Sequence, residues 1–433
     1  LVTVDLYNEG IDLPMVDTLL LLRPTQSPVL FQQQIGRGLR SAPGKESCLV
    51  LDFVGQHRKE FRFDRLLSSL TGLSRRELVD GVENGFGSLP PGCYIHLQRQ
   101  TREQVLQGLR ALTTQNWRRL KTELQTYAAL KGRASVRLAN FLHDQALELE
   151  DVYRTGTGQG RSGWTALKRD AGLIVAEPGP EEDYFSRRFG DLLHVDDPRR
   201  LDAMAAVGVR QGHPEALDAK SALGVQMLAY QIDGRHEQAA GHEAFTERLQ
   251  RHPGNASELV ELSGLLQARS GLGANAVPGL EDTPLCLHAA YGAREVLTAV
   301  GWLTAARRAP FQAGVLPLTS RKTELLFVTL DKSEGYHDRI SYHDYAISAE
   351  RFHWQTQNSA GPDTPSGRRY LESSTNGWEF QLFVRPRKGD AYRACGRVTL
   401  ESAEGDRPMS IIWRFETPLP ARLFREFSVL RGV

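Results

Sequence analysis

The sequence predicts a chain of several domains that passes from an α/β part through an all-helical region to a β-rich C-terminal part. Continuous runs of Val, Leu and Phe alternate with one helix in residues 1–65, as in strands buried within a parallel sheet. Apolar residues three and four apart dominate residues 66–274, which is the spacing of amphipathic helices. Short β-branched and aromatic runs, separated by Gly, Pro, Asp and Asn, fill residues 275–433 and indicate an antiparallel barrel or curled sheet.

Residues 1–65 contain only about half of a complete α/β domain. Its strand candidates are LVTVDLY (1–7), VDTLLLL (16–22) and SCLVLDFVG (47–55). Between them, NEGIDLP (8–14) has the composition of a loop and SPVLFQQQIGRGLR (27–40) that of a helix. Because position 1 is Leu and already belongs to a strand candidate, we expect a fragment of a longer protein, cut inside a domain.

The later parts have equally plain patterns. The amphipathic stretch 101–130 and a second one, 135–154, flank a turn at Lys131-Gly132. A helix at 293–306 precedes the β-rich part. The predicted strands are TELLFVTLDK (323–332), DYAIS (344–348), RFHWQTQ (351–357), FQLFVRP (380–386), RACGRVTLES (393–402) and SIIWRFE (410–416).

Composition narrows the function classes. The net charge is +1, so a nucleic-acid surface would have to arise by local segregation of charge. No apolar run approaches the roughly 18 to 20 residues that span a bilayer, so no membrane partner is expected. Four cysteines lie far apart without a CxxC pair, which argues against a zinc ribbon or a disulfide framework and favours the cytoplasm.

Two arginines near the start carry the first functional hypothesis. Arg37 and Arg40 are three residues apart on a predicted helix, so both guanidinium groups can point at one target. A guanidinium donates two parallel hydrogen bonds to a phosphate, and two of them would stabilise the charge that develops in phosphoryl transfer. The alternative is a surface helix with solvated arginines.

VDLYNEGIDLP (4–14) and QQQIGRGLR (32–40) closely resemble motifs V and VI of superfamily 2 helicases. The resemblance implies the C-terminal half of a second RecA-like lobe, with nucleotide-binding positions at Gly10, Asp12, Gln33 and Gly36. It makes Arg37 and Arg40 the arginine fingers, and it implies ATP and Mg²⁺ held mainly by an upstream lobe. The sequence has no GxxxxGK[ST] loop, so this chain alone is expected not to hydrolyse ATP.

The C-terminal part carries a second resemblance through PLCLHAAYGAREVLTAVGW (284–302), YHDYAIS (342–348), RFHWQTQNS (351–359), GRRYL (367–371), WEFQLFVR (378–385) and RPMSIIWRFETPLP (407–420). These stretches are similar to a domain of unassigned function behind bacterial superfamily 2 helicases. They are also similar to the C-terminal module of ATP-dependent type IV restriction enzymes, which cut DNA bearing 5-methylcytosine. The resemblance implies an SRA/PUA-like β-barrel with flanking helices that flips a modified cytosine. It also implies, as possible partners, an upstream helicase lobe and a phospholipase-D-type nuclease domain in the same polypeptide.

The residues suit base recognition, which takes flat walls and a few donors and acceptors. The candidates that would contact the base come from two neighbouring strands, and three arginines could hold flanking phosphates. The base-reading set is Tyr342, Asp344, Tyr345, Trp354 and Gln355, and the arginines are Arg368, Arg369 and Arg385. Trp354 could instead belong to the core and Asp344 could cap a turn. No metal site is expected, because His337, His343 and His353 have no Cys or carboxylate at ligand spacing.

Two functions from different classes remain open. The favoured one is the C-terminal fragment of an ATP-dependent DNA helicase or translocase that restricts modified foreign DNA. The other is a DNA-repair helicase whose barrel is a methylation-indifferent DNA- or protein-binding module. A basic stripe of helical residues from Arg99 to Arg137 could track a DNA backbone, or it could be a solvated face with pairs such as Arg119 with Glu123.

Overall fold

The first elements among the described residues are two parallel strands joined by a helix. The computed structural model describes residues 14–22, 28–53, 63–73, 75–86, 89, 92–113, 117–145, 147–153, 161–209, 218–233, 241–304, 306–307, 314–331 and 344–428. Over these residues the chain forms two compact units, 1–116 and 117–433. The predicted domain boundaries at residues 65 and 274 stay predictions.

The first unit contains β1 (Thr18–Leu21), α1 (Pro28–Gly38), β2 (Leu49–Asp52), α2 (Phe63–Thr71), α3 (Arg75–Asn84) and α4 (Arg99–Thr113). Strands β1 and β2 pair in parallel from Thr18↔Leu49 to Leu21↔Asp52, as the sequence predicts. Helices α2 to α4 share a separate small core around Leu78, Val105 and Leu109. The predicted strand at 1–7 and loop at 8–14 lie outside the described residues, apart from Pro14.

One face of the two-stranded sheet differs from the prediction of burial on both sides. Leu20 and Leu51 are opposite each other in the register, and they are 56% and 40% exposed. Leu22, Leu49 and Phe53 are exposed as well. Leu19, which contacts the end of α1, is only partly exposed. Helix α1 therefore covers one face, and within the described residues the other face presents apolar side chains to solvent.

The second unit starts with nine helices among its described residues. They are α5 (Trp117–Lys131), α6 (Leu138–Gln145), α7 (Leu149–Val152), α8 (Trp164–Asp170), α9 (Glu182–Arg188), α10 (Pro198–Gly208), α11 (Ala219–Asp233), α12 (His242–Gln250) and α13 (Pro253–Arg269). Leu120, Leu124, Tyr127 and Ala128 are the buried positions of α5, which confirms the predicted amphipathic spacing. Glu258 on α13 is fully buried and accepts hydrogen bonds from the backbone N–H groups of Trp164 and Thr165 at 2.6 and 3.0 Å, so it caps α8.

The β-rich part is one mixed sheet with helices on both faces. Its elements are β3 (Ala290–Tyr291), α14 (Ala293–Ala299), β4 (Val315–Leu318), β5 (Thr323–Asp331), β6 (Tyr345–Ser348), β7 (Arg351–Gln355), α15 (Pro365–Leu371), α16 (Ser373–Asn376), β8 (Glu379–Arg387), β9 (Tyr392–Glu404), β10 (Ser410–Phe415) and α17 (Ala421–Phe427). The strand order is β4-β5-β8-β9-β10-β7-β6, with β3 paired to β9. The six predicted strands are all present, and the predicted helix at 293–306 is shorter than expected.

Two features correct the predicted antiparallel barrel. Strands β5 and β8 are parallel, because the chain returns to β5 only after β6, β7, α15 and α16. Strands β4 and β6 end the strand order, and no pairing between them closes the sheet among the described residues. The observed architecture is a mixed sheet, and GRRYL (367–371), part of the second resemblance, lies on a helix.

Alternate residues of the central strands enter two different cores. Leu325 and Phe327 of β5 pack with α14 and with Met227 of α11. Leu326 and Val328 pack on the other side with β7, β10, α15 and α17. This period of two places successive side chains on opposite faces of the sheet.

A buried arginine joins the helical region to the sheet within the second unit. Arg200 of α10 donates hydrogen bonds to Asp197, to Glu295 of α14 at 2.8 Å, and to the carbonyl oxygen of Ala290 in β3. Its Cζ lies 3.9 Å from the ring centroid of Tyr291. His194 Nε2 lies 2.6 Å from the other oxygen of Glu295. Residues on both sides of the predicted boundary at 274 therefore share one buried ionic network.

We expect Arg200→Met to lower the free energy of unfolding by about 3 to 5 kcal/mol, because it leaves the buried carboxylates of Asp197 and Glu295 without their main counter-charge. Urea unfolding followed by circular dichroism measures the change. Arg321→Met is the matched control, since its pair with Asp282 is partly exposed and should contribute about 1 kcal/mol or less. Equal losses in the two variants would contradict the role assigned to Arg200.

Candidate functional sites

The end of helix α1 carries most of the predicted nucleotide site. Gln33, Gly36 and Arg37 lie on the helix, and Arg40 lies two residues beyond its last residue, Gly38. Gln33, Gly36 and Arg40 are exposed, and Arg37 is partly buried. The prediction that Arg37 and Arg40 share one helix is therefore wrong for Arg40. The helical turn continues only as far as the amide of Leu39, which donates to the carbonyl oxygen of Ile35 at 3.2 Å.

Gly10 and Asp12, the other two predicted nucleotide-binding residues, lie outside the described residues, and so does Tyr342 of the predicted base-reading set.

Gly38 allows α1 to lie directly on the two strands. A Cβ at this position would lie 2.5 Å from Cys48 Sγ and 2.7 Å from Leu19 Cδ1. Both distances are far shorter than van der Waals contact, so only a glycine fits without a shift. A Cβ at Gly36 would meet nothing within 4 Å. The two glycines of the predicted motif thus serve different purposes, and sequence reasoning missed the packing role of Gly38.

Lys45 closes the end of α1. Its Nζ donates hydrogen bonds to the carbonyl oxygens of Gly38, Arg40 and Pro14 at 2.6, 2.8 and 3.1 Å. In the sequence, Gly44-Lys45 is followed by Glu46, so these residues do not belong to a GxxxxGK[ST] phosphate-binding loop. A lysine shortly after the last helical residue could have signalled this arrangement, because such side chains often bind the terminal carbonyl groups of a helix.

The predicted base-reading residues on β6 and β7 separate onto two faces of the sheet. Asp344 Oδ1 accepts a hydrogen bond from the backbone amide of Gln355 at 2.8 Å. The ring of Tyr345 stacks on that of His353, with centroids 5.1 Å apart and an interplanar angle of 24°. His353 Nε2 lies 2.5 Å from Ser410 Oγ. Asp344 is buried, whereas Tyr345 and Gln355 are partly exposed, so within the described residues this face of β6, β7 and β10 is partly open to solvent.

Trp354 points to the opposite face and is 6% exposed. Its ring packs edge-on against Tyr370, at 5.5 Å between centroids, and tilts over Trp413 at 6.2 Å. Phe352, its neighbour on the same face, is also buried. Trp354 therefore belongs to the core in this structure, and its ring would have to leave the core to stack on a base.

The three predicted phosphate-binding arginines have different surroundings. Arg369 Nε donates to Glu324 Oε2 at 2.8 Å, and the Tyr370 hydroxyl donates to the other oxygen at 2.8 Å. Burial raises the pKa of Tyr370, and the charge of Glu324 raises it further, so the hydroxyl remains a donor. Arg385 donates to Thr329 Oγ1 at 2.8 Å and lies over the ring of Tyr392. Arg368 is the most exposed of the three.

The helical region and the metal-ligating residue types add little to these candidates. Arg119 pairs with Glu123 at 2.7 Å, as the solvated-face alternative predicts. Among the residues that the structure describes, no three His, Cys, Asp or Glu side chains come close enough to hold a metal ion. Within the same residues, no helix has both the length and the apolar character to cross a bilayer.

Parts of the chain are similar to known proteins. Residues 285–427 match a family model described as Domain of unknown function (DUF3427). The chain is similar to the putative ATP-dependent helicase IRC3 of Saccharomyces cerevisiae, with 46% identity over 55 residues, or 13% of this chain and 8% of that protein. It is also similar to the putative mitochondrial ATP-dependent helicase irc3 of Schizosaccharomyces pombe, with 49% identity over 85 residues, or 19% of this chain and 13% of that protein.

The chain thus spans a small fraction of the length of these relatives. These similarities confirm the coarse prediction of a helicase-related chain with a C-terminal domain of unassigned function. The kinship with type IV restriction enzymes and SRA domains stays a prediction.

Substitution of the two glycines of the motif tests how α1 packs on the two strands. We expect Gly38→Ala to destabilise the first unit, because the added methyl group collides with Cys48 and Leu19. Gly36→Ala should leave stability equal or raise it by up to about 1 kcal/mol, since alanine is the better helix residue and the space is open. Thermal unfolding of the two variants measures the difference. A Gly38→Ala protein as stable as the Gly36→Ala protein would contradict this packing.

Proposed function

We propose that this chain is part of an ATP-dependent DNA helicase or translocase, and that Arg37 and Arg40 complete its ATP site. The observation that carries the proposal is the end of α1, where a stretch resembling motif VI presents Arg40 to solvent and Arg37 beside it. Two similar proteins are named putative ATP-dependent helicases, which supports the same class.

The chemistry of the proposed site is charge stabilisation. Guanidinium groups stay protonated at neutral pH and donate paired hydrogen bonds to phosphate oxygens. Arg37 and Arg40 would bind the terminal phosphoryl group of ATP as its bond to the leaving diphosphate lengthens and negative charge accumulates. ATP and Mg²⁺ would be held mainly by another lobe of the same polypeptide, which supplies the phosphate-binding lysine.

The open apolar face of β1 and β2 supports a further layer in this lobe. Parallel sheets are almost always covered on both faces, because their strands are apolar on both sides. Leu20, Leu22, Leu49, Leu51 and Phe53 lie on or beside the uncovered face and are 40 to 67% exposed. We propose that additional secondary structure of the RecA-like lobe packs there.

For the C-terminal sheet we propose DNA binding, in a protein that restricts modified foreign DNA. The open face of β6, β7 and β10 offers the stacked rings of Tyr345 and His353 together with the amide side chain of Gln355. Flat rings and amide groups are the means by which proteins stack on bases and read their edges. A preference for 5-methylcytosine and a nuclease domain of the phospholipase-D type belong to the same proposal.

A second candidate function is favoured by the placement of Trp354 and Arg369. One ring is packed in the core, and one guanidinium is neutralised by the buried Glu324, so fewer groups are open to a base than the sequence indicates. A repair helicase with a methylation-indifferent DNA- or protein-binding sheet domain needs neither group to reach DNA.

In the protein that carries this chain together with its nucleotide-binding lobe, we expect Arg37→Ala to lower the kcat of ATP hydrolysis by about 10³-fold or more, the usual effect of removing an arginine finger. Steady-state ATPase assays measure it. Arg187→Ala is the control, since Arg187 is an exposed helical arginine remote in sequence from the motif. An unchanged rate in Arg37→Ala would refute the finger assignment.

Binding of the whole chain to matched duplexes with cytosine or 5-methylcytosine, measured by fluorescence anisotropy, tests the sheet domain. We expect tighter binding to the methylated duplex, and Tyr345→Ala should weaken binding by about 1 to 3 kcal/mol if its ring stacks on a base. Equal affinity in several sequence contexts would remove the restriction hypothesis and favour the second candidate. Absence of binding to either duplex at low salt would remove DNA binding by this domain.

A further inference from the structure

The position of Arg40 relative to Arg37 is not fixed by a helix. Helix α1 ends at Gly38, and the chain then turns through Ser41 to Gly44, where Gly44 takes a φ of +79°. The amide of Lys45 closes this turn by donating to the carbonyl oxygen of Ala42 at 3.1 Å. The turn brings the Lys45 side chain back under the end of the helix, so the position of Arg40 depends on what holds this turn.

The Lys45 ammonium group has three N–H donors, and three backbone carbonyl oxygens lie within hydrogen-bonding distance. One belongs to Gly38, the last residue of α1. One belongs to Arg40 itself, and the third belongs to Pro14, which precedes β1. The carbonyl groups at a helix C-terminus lack helical partners and carry partial negative charge, so a cation is well placed there.

This arrangement also determines what Lys45 does not do. Each of its donors has a carbonyl partner, and the side chain is only partly exposed. A lysine that binds a phosphate needs donors that are directed at the ligand. Lys45 is therefore committed to the backbone at the end of α1.

We propose that Lys45 is a positioning residue for the arginine pair. Its three hydrogen bonds fix the backbone of Arg40 to the end of α1 and to Pro14, two residues after Asp12 of the predicted motif V. Lys45 thereby links both predicted nucleotide-binding segments and sets the spacing of the two guanidinium groups. The catalytic meaning of this role rests on the proposed function, but the structural role does not.

The choice of lysine follows from its geometry. An ammonium group places three donors in a tripod around one atom, whereas the guanidinium group of arginine is a planar fork. Three carbonyl groups converging on one point suit the tripod. An arginine at position 45 would keep the charge but could not reproduce all three bonds, so Lys45→Arg should recover only part of the function that Lys45→Met loses.

The first test does not depend on ATP hydrolysis. Hydrogen exchange of this chain is measured by mass spectrometry for wild type, Lys45→Met, Lys45→Arg and, as a control, Lys220→Met, which replaces an exposed lysine on α11. We expect the backbone amides of segment 36–44 to exchange about tenfold faster or more in Lys45→Met, because the segment loses its hydrogen bonds to a charged group. In Lys220→Met the exchange rate of this segment should equal that of wild type. If Lys45→Met does not fold, Lys45→Gln takes its place.

The second test uses the protein that carries the nucleotide-binding lobe. Lys45→Met should lower the kcat of ATP hydrolysis by about 10- to 100-fold with little change in the KM for ATP, because a misplaced finger weakens the transition state more than binding. Lys45→Arg should lie between the Met variant and wild type.

The outcomes separate the inference from the proposed function. Unchanged exchange of segment 36–44 in Lys45→Met would overturn the placement of Lys45. Faster exchange with an unchanged kcat, in a protein where Arg37→Ala is strongly impaired, would overturn its positioning role. An unimpaired Arg37→Ala protein would overturn the proposed function, and with it the catalytic role of Lys45, whatever the exchange result.

Discussion

The buried ionic network of Arg200 joins the helical region of the second unit to its sheet. Burying a guanidinium group costs several kcal/mol unless carboxylates and hydrogen-bond acceptors surround it, and here Asp197, Glu295 and the carbonyl group of Ala290 do so. Burial by itself would raise the pKa of Glu295, but the charges of Arg200 and His194 outweigh it and hold that pKa at about 2. Helix α10, strand β3 and helix α14 cannot separate without exposing these charges. This network therefore holds the sheet and the helical region of the second unit together.

The same physical rule distinguishes structural cations from functional ones elsewhere. Lys45 is bound by three carbonyl groups and Arg369 by the buried carboxylate of Glu324, so their charges are already used. Arg40 and Arg368 are exposed residues, so the phosphate contacts proposed for them involve side chains that solvent can reach. A sequence shows all four as basic residues near a motif. Only the structure shows that Lys45 and Arg369 are bound by acceptors of the fold itself.

The sequence predicts well what depends on local pattern. The strands of the C-terminal part follow from their β-branched and aromatic composition, and the burial of α5 follows from the spacing of its apolar residues. Other features depend on partners far along the chain and could not be predicted. The parallel pairing of β5 with β8 needs the intervening crossover, and the pairing of Arg369 with Glu324 joins residues 45 apart. The alternation of β7 already places Trp354 opposite Gln355, but only the packed structure shows which face is the core.

The open face of β6, β7 and β10 has a charge balance that limits how it could bind DNA. Arg351 and Arg414 are adjacent in the register of β7 and β10, and both donate to Glu401, each at 2.9 Å. Glu401 offsets one of these two positive charges, so the pair contributes a net charge of only +1 towards phosphates. A DNA contact on this face would therefore depend more on stacking by Tyr345 and on hydrogen bonds from Gln355 than on release of counterions. Such a contact requires that the base first leaves the stack, as it does in the base flipping proposed for this domain.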